Sequence, residues 1–175
     1  GACDAQLDKV KVNPRATAVV QNLKGALYLS QRKPRDAEAQ FQKAIAGDAN
    51  YLPPYYALAR LYLAEQREDQ AIEQFQKVLE KDPNQTAPHM FLGVLYQTQG
   101  DAGQAEQHYR KALAINAEFA PAANNLAYLL VEEGGDLNEA LEFARTAKKV
   151  NTEDPHVSDT LGWVYYHKGL YDNAL

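Results

Sequence analysis

Apolar residues recur along this chain at i, i+3, i+4 and i+7 in stretches of roughly 12 to 15 residues, broken by short polar or glycine-containing segments. The pattern predicts amphipathic helices in pairs. The first helix of each pair (A) falls at about 15–31, 53–65, 87–99, 121–133 and 155–168, and the second (B) at about 35–47, 69–81, 102–115 and 137–150. Proline stands near the start of the A helices at Pro14, Pro53 with Pro54, Pro88, Pro121 and Pro155. A missing amide donor there removes no helix hydrogen bond. The segments Lys81-Asp82-Pro83-Asn84 and Asn151 to Pro155 supply turn formers and a helix stop between a B helix and the next A helix.

A longer period runs through these pairs. The set Leu92, Gly93, Tyr96, Gly100, Ala105, Tyr109 and Ala112, shifted back by 34 residues, meets Leu58, Ala59, Tyr62, Gln66, Ala71, Phe75 and Val78. A second shift meets Lys24, Gly25, Tyr28, Arg32, Ala37, Phe41 and Ala44, where Lys24 replaces an apolar residue. Forward, the set meets Leu126, Ala127, Leu130 and Gly134. One inserted residue at Gly134-Gly135 then moves the match to Ala140, Ala144 and Ala147, and the last copy reads Leu161, Gly162, Tyr165, Gly169 and Ala174. A fixed period of this size is the mark of stacked repeats, each unable to bury its apolar face alone. The small residues of the A helices are expected to face Ala37, Ala71, Ala105, Ala140 and Ala174, while Tyr28, Tyr62, Tyr96, Leu130, Tyr165, Phe41, Phe75 and Tyr109 fill the space between successive pairs. The alanine-rich fourth B helix predicts the loosest packing in the fourth copy.

This arrangement of Leu-Gly, Tyr, Ala, Phe/Tyr, Ala and Pro over about 34 residues resembles the tetratricopeptide repeat family. Three segments are similar to parts of long bacterial members of that family, some of them lipoproteins linked to exopolysaccharide export and surface-protein sorting: Tyr55–Tyr62, Phe119–Leu130 and Asp159–Tyr166. The resemblance implies an all-α, right-handed superhelical solenoid of stacked antiparallel helix pairs. The period divides it into a preceding B helix at 3–12, full repeats at 18–51, 52–85, 86–119 and 120–154 (with the insertion), and a partial repeat at 155–175. Both ends cut the same repeat element, so the chain is expected to be part of a longer solenoid. Less covered apolar residues such as Leu161 and Tyr165 are expected in the partial repeat, and head-to-tail self-association through residues 155–175 and 3–12 follows as an expectation.

Composition narrows the chemistry. The 175 residues are 46% hydrophobic and 23% charged, which suits a globular chain, and the longest apolar stretches, such as Leu126 to Val131, are far shorter than the ~18–20 residues of a membrane span. Eighteen basic against 23 acidic residues give a net charge of −5, which disfavours nucleic acid. Cys3, the single cysteine, reads either as the small residue of a B helix or, within Gly1-Ala2-Cys3-Asp4, as the end of a lipobox. His156 and His167 are 11 residues apart, about 16 Å along a helix, so they do not share a metal. Neighbouring carboxylates such as Glu132 with Glu133 and Glu139 with Glu142 read as solvent-facing charge. Neither a nucleophile constellation, nor a glycine-rich phosphate loop, nor a zinc spacing is present in the sequence. Hence neither enzyme activity nor a cofactor or metal is expected, and the compartment stays open between periplasmic, membrane-anchored and cytoplasmic settings.

In the family that the chain resembles, the A helices line a concave groove. The resemblance therefore implies a groove for a protein or peptide partner, formed by Asn22, Tyr56, Arg60, Met90, Val94, Gln97, Asn124, Tyr128, Asp159, Trp163 and Tyr166. Tyrosine, tryptophan and arginine anchor interfaces, and amides both donate to and accept from an extended backbone. The plainer reading is that Tyr128, Trp163 and Tyr166 pack against neighbouring helices. A two-carboxylate clamp of the kind some relatives use is not expected, since Met90, Val94, Asn125, His156 and Thr160 occupy its places and only Asn125 fits. Two other roles stay open: a spacer or assembly module of a longer bacterial protein, and a regulatory module attached to an enzyme elsewhere in a parent chain.

Overall fold

All five A helices begin at or within two residues of a proline, and each ends one residue short of where the pattern places it. The computed structural model describes residues 13–174. Its helices are α1 (Pro14–Ser30), α2 (Pro34–Gly47), α3 (Pro53–Ala64), α4 (Glu68–Lys81), α5 (Thr86–Thr98), α6 (Ala102–Ile115), α7 (Ala120–Glu132), α8 (Leu137–Val150), α9 (Pro155–His167) and α10 (Tyr171–Ala174). No strand occurs among the described residues. The expected preceding helix at 3–12 lies outside them. Side-chain caps hold several starts: Asn13 accepts from the Arg15 amide, Asp101 from Gln104, Asp136 from Asn138 and Asp154 from His156.

The turn inside each pair has one recurrent geometry. Arg32, Gln66, Gly100, Gly134 and Gly169 all have φ between 59° and 79°, and the next amide returns to a carbonyl of the A helix, as in Asp101 N to Tyr96 O at 2.9 Å and Arg67 N to Tyr62 O at 2.8 Å. This is the left-handed helix stop that glycine adopts freely and a side chain adopts at a cost. Gln66 is exposed, so Gln66→Gly is expected to raise stability by about 0.5–1 kcal/mol, read as a higher urea midpoint.

The chain divides into two compact units, residues 1–81 and 82–175. In the first, α1 packs on α2, α2 on α3 and α3 on α4, around Ala18, Ala37, Phe41, Leu58, Ala59, Phe75 and Val78. Glu38 of α2 reaches into the following pair, accepting from Tyr62 Oη at 2.9 Å and from Arg67 at 3.1 Å. In the second unit, α5 to α10 enclose a core of Leu92, Ala105, Tyr109, Ala112, Leu126, Ala127, Ala140, Ala144 and Val164. Arg110 of α6 grips Glu139 of α8 through two nitrogens, at 2.6 and 2.8 Å, and this hydrogen bonding holds the Glu139 carboxyl below its ordinary pKa.

Two packing expectations need correction. The small A-helix residues Gly25 and Gly93 do not serve to meet alanine: a Cβ at Gly25 would lie 2.6 Å from Phe41 Cδ1, and one at Gly93 would lie 2.6 Å from Tyr109 Cδ1. The aromatic ring of the B helix thus fills its own pair, where the sequence pattern assigned it to the space between pairs. The fourth pair is not the loosest. Ala127, Ala140, Ala144 and Ala147 are all fully buried, with Ala127 and Ala144 standing where the third pair has its glycine and ring. The expectation for the last repeat holds for Leu161, which is half-buried where Leu58, Leu92 and Leu126 are buried, whereas Tyr165 is half-buried like its counterpart Tyr96.

Candidate functional site

The candidate groove residues separate into groups once placed in the two units. In the first unit Asn22 and Tyr56 are half-buried and Arg60 is exposed. Tyr56 sets its ring edge-on to Phe75, with centroids 6.3 Å apart, so part of it serves packing. In the second unit Val94 turns to the core, and Met90 is half-buried. Neither lines the cleft described next.

That cleft has a volume of about 590 Å³ and is built wholly from A helices of the second unit. Gln97 of α5, Asn124, Asn125 and Tyr128 of α7, and His156, Asp159, Thr160 and Trp163 of α9 line it. It gathers five predicted groove residues, Gln97, Asn124, Tyr128, Asp159 and Trp163. Its walls combine ring faces with amides. Tyr128 and Trp163 keep 41% and 39% of their surface exposed, more than core packing alone would leave them.

The amides are held from behind. The Tyr109 ring is fully buried, yet its hydroxyl reaches the cleft wall and donates to Gln97 Oε1 at 2.7 Å. Burial pushes this phenol up to about 12, opposed by a hydrogen bond with Asn125, so it stays a neutral donor. One core ring therefore orients two cleft amides. Asn124 Oδ1 is buried without a hydrogen-bond partner, an orphaned acceptor whose burial costs stability. Trp163 Nε1 donates to Glu132 Oε1 at 3.1 Å, which fixes the indole as one wall.

A second cleft of about 580 Å³ lies on the other side of Trp163, lined by Ser158, Asp159, Gly162, Trp163, Tyr166, Tyr171 and Ala174. Tyr166 belongs to this one. Its ring is parallel to Trp163 within 9° at 5.9 Å, and Tyr171 packs edge-on against it at 5.6 Å. The predicted stripe missed Asn125, His156 and Thr160 of the first cleft. It also missed His89 and His108, whose Nδ1 atoms meet at 3.0 Å inside the third pair. Among the described residues no cluster of histidine, cysteine and carboxylate groups could hold a metal, and no helix is long and apolar enough to cross a membrane.

Comparison with known proteins agrees with this architecture. The tetratricopeptide repeat family model matches residues 28–95 and 96–174. The chain belongs to that family, an all-α class of stacked helix pairs that generally mediates protein–protein interaction. A curated relative, TPR repeat-containing protein PA4667 of Pseudomonas aeruginosa, is 34% identical over 62 residues, which is 35% of this chain and 10% of the relative. The chain thus spans about a tenth of that protein's length. Among solved structures, MamA protein superposes with a TM-score of 0.77 at 20% identity, covering 90% of this chain and 86% of MamA. PilF of Pseudomonas aeruginosa gives 0.75 at 20% identity, with 92% and 73% covered. YrrB, described as a TPR protein with an unusual peptide-binding site, gives 0.73 at 21% identity, with 90% and 81% covered. At these identities the likeness is one of fold.

Proposed function

We propose that the chain is a non-enzymatic interaction module whose A-helix face binds an extended peptide or partner segment, with the cleft between α5, α7 and α9 as the principal site. The observation that carries the reading is the composition of that cleft: two half-exposed rings, Tyr128 and Trp163, together with the amides Gln97, Asn124 and Asn125. Rings supply contact area at low entropy cost and amides pair with a peptide backbone. YrrB, similar in fold, is described as having a peptide-binding site, and this supports the same reading. To test it, peptides selected from a random 12-residue display library on the 175-residue chain would be titrated against variants. Tyr128→Ala and Trp163→Ala are each expected to weaken binding about tenfold or more, with the helical circular dichroism unchanged. Undiminished affinity in both would remove the cleft from the function.

A second reading rests on the cleft beside α10, where Tyr166 and Tyr171 are 55% and 61% exposed and Leu170 is exposed with them. Here the module joins an assembly through that surface, including head-to-tail contact between copies. Sedimentation of the chain across concentration, with Tyr166→Ser/Tyr171→Ser as comparison, tests it: a monomer at all concentrations in both would exclude contact between copies.

A further inference from the structure

The A helices of the second unit carry no lysine or arginine. Across α5, α7 and α9 the formal charges are Glu132 and Asp159 alone, beside the histidines His89, His156 and His167. Asp159 is exposed, lines both clefts and makes no ion pair among the described residues. Glu132 sits behind the indole, accepting its N–H. The nearest lysines in sequence are engaged: Lys149 donates to Glu118, Lys148 to the Thr152 carbonyl and to Ser158 Oγ on the second cleft, and Lys168 to Asn138 Oδ1. The wider field has the same sign, since residues 82–175 hold 6 basic against 13 acidic residues, a net −7. The first unit is opposite. Its A helices α1 and α3 carry Arg15, Lys24 and Arg60 and no carboxylate.

An uncompensated carboxylate beside exposed ring faces is the setting that attracts an organic cation, because the negative faces of the rings and the carboxylate act in the same direction. Tyr128 of α7 and Trp163 and Asp159 of α9 line one cleft in this way. Building on the groove reading above, we propose that the cleft takes a basic segment of a protein partner, seating a lysine or arginine side chain between Tyr128 and Trp163 and pairing its charge with Asp159. Glu132 strengthens the negative potential on the far side of the indole. The amides of Gln97, Asn124 and Asn125 hold the backbone on either side of that residue.

The display selection described above tests this by composition. Enriched peptides are expected to carry lysine or arginine at a fixed distance from an apolar residue, and a synthetic member should lose about tenfold in affinity between low and high salt, as screening of an exposed pair requires. Asp159→Asn is expected to weaken it about five- to tenfold, while Glu142→Gln, which removes an equal charge from the exposed face of α8, leaves it unchanged. Acidic or uncharged peptides that bind and are lost with Tyr128→Ala would overturn the charge assignment and leave the groove reading standing. If no selected peptide responds to Tyr128→Ala or Trp163→Ala, both fall. Equal weakening by Glu142→Gln would also overturn the assignment, since the effect would then belong to net charge and not to the cleft.

Discussion

Tyr109→Ala is expected to lower the unfolding free energy by about 3–5 kcal/mol, the range for removing a fully buried aromatic side chain. Gly93→Ala alone should cost about 1–3 kcal/mol, because the added methyl enters space that the Tyr109 ring occupies and the ring is enclosed on all sides. The double variant should lose less than the sum. With the ring gone, the methyl at 93 fills part of the void and the helices move together. The fourth repeat already carries this pair as Ala127 and Ala144, both fully buried, so an alanine pair at these places is one the repeat accommodates. Urea unfolding of the four proteins of the cycle measures the coupling, and additivity within ~0.5 kcal/mol would show that the two residues do not share the space assigned to them. Tyr109→Phe separates the hydroxyl from the ring. It should cost only about 1 kcal/mol, yet it frees the Gln97 and Asn125 amides, so peptide affinity should fall more than stability does.

The helix pattern was almost wholly legible because its punctuation is local. Proline at Pro14, Pro53 and Pro155 and the polar breaks at 31–33, 65–67 and 99–101 act on the residues beside them, and the structure follows them to within a residue. Contacts between helices were less so. Which B-helix residue meets Gly25 or Gly93 depends on the rotation of each helix about its axis, and a 34-residue period is indifferent to that angle; alanine and aromatic were equally periodic choices. The cleft was half legible for the same reason. A stripe at i, i+4 and i+7 selects Asn124, Tyr128, Asp159 and Trp163, but a cleft between two helices also exposes the residues flanking that stripe, and Asn125, His156 and Thr160 enter there. The His89–His108 contact had no signal at all, since it joins two helices at positions held by Tyr55 and Gln74 one repeat earlier.

That histidine pair is expected to make the second unit sensitive to acid. Both rings are buried and in contact. Tyr96 stacks on His108 at 5.5 Å, Lys111 contributes positive charge, and His89 hydrogen-bonds to the backbone of Pro83. One Nδ1 must donate and the other accept, so the pair is closed in its neutral form. Burial, with the neighbouring His89 and Lys111, pushes His108 down to about 4, and burial also lowers His89. An unfolded chain takes up these protons near pH 6.5, so folding stability is fully present above that pH and is lost as pH falls towards 4. A shift of this size in His108 corresponds to about 3 kcal/mol. The carboxylates held low by arginine, Glu38, Asp48 and Glu139, lose their contribution only below their unfolded values near 3.9–4.3, which leaves the interval from pH 6.5 to 5 to the histidines. His108→Gln places there the residue found at the equivalent buried position Gln74. Urea midpoints between pH 7.5 and 5 should fall steeply in the parent chain and much less in this variant, and an equal slope in both would exclude the pair as the origin of the acid sensitivity.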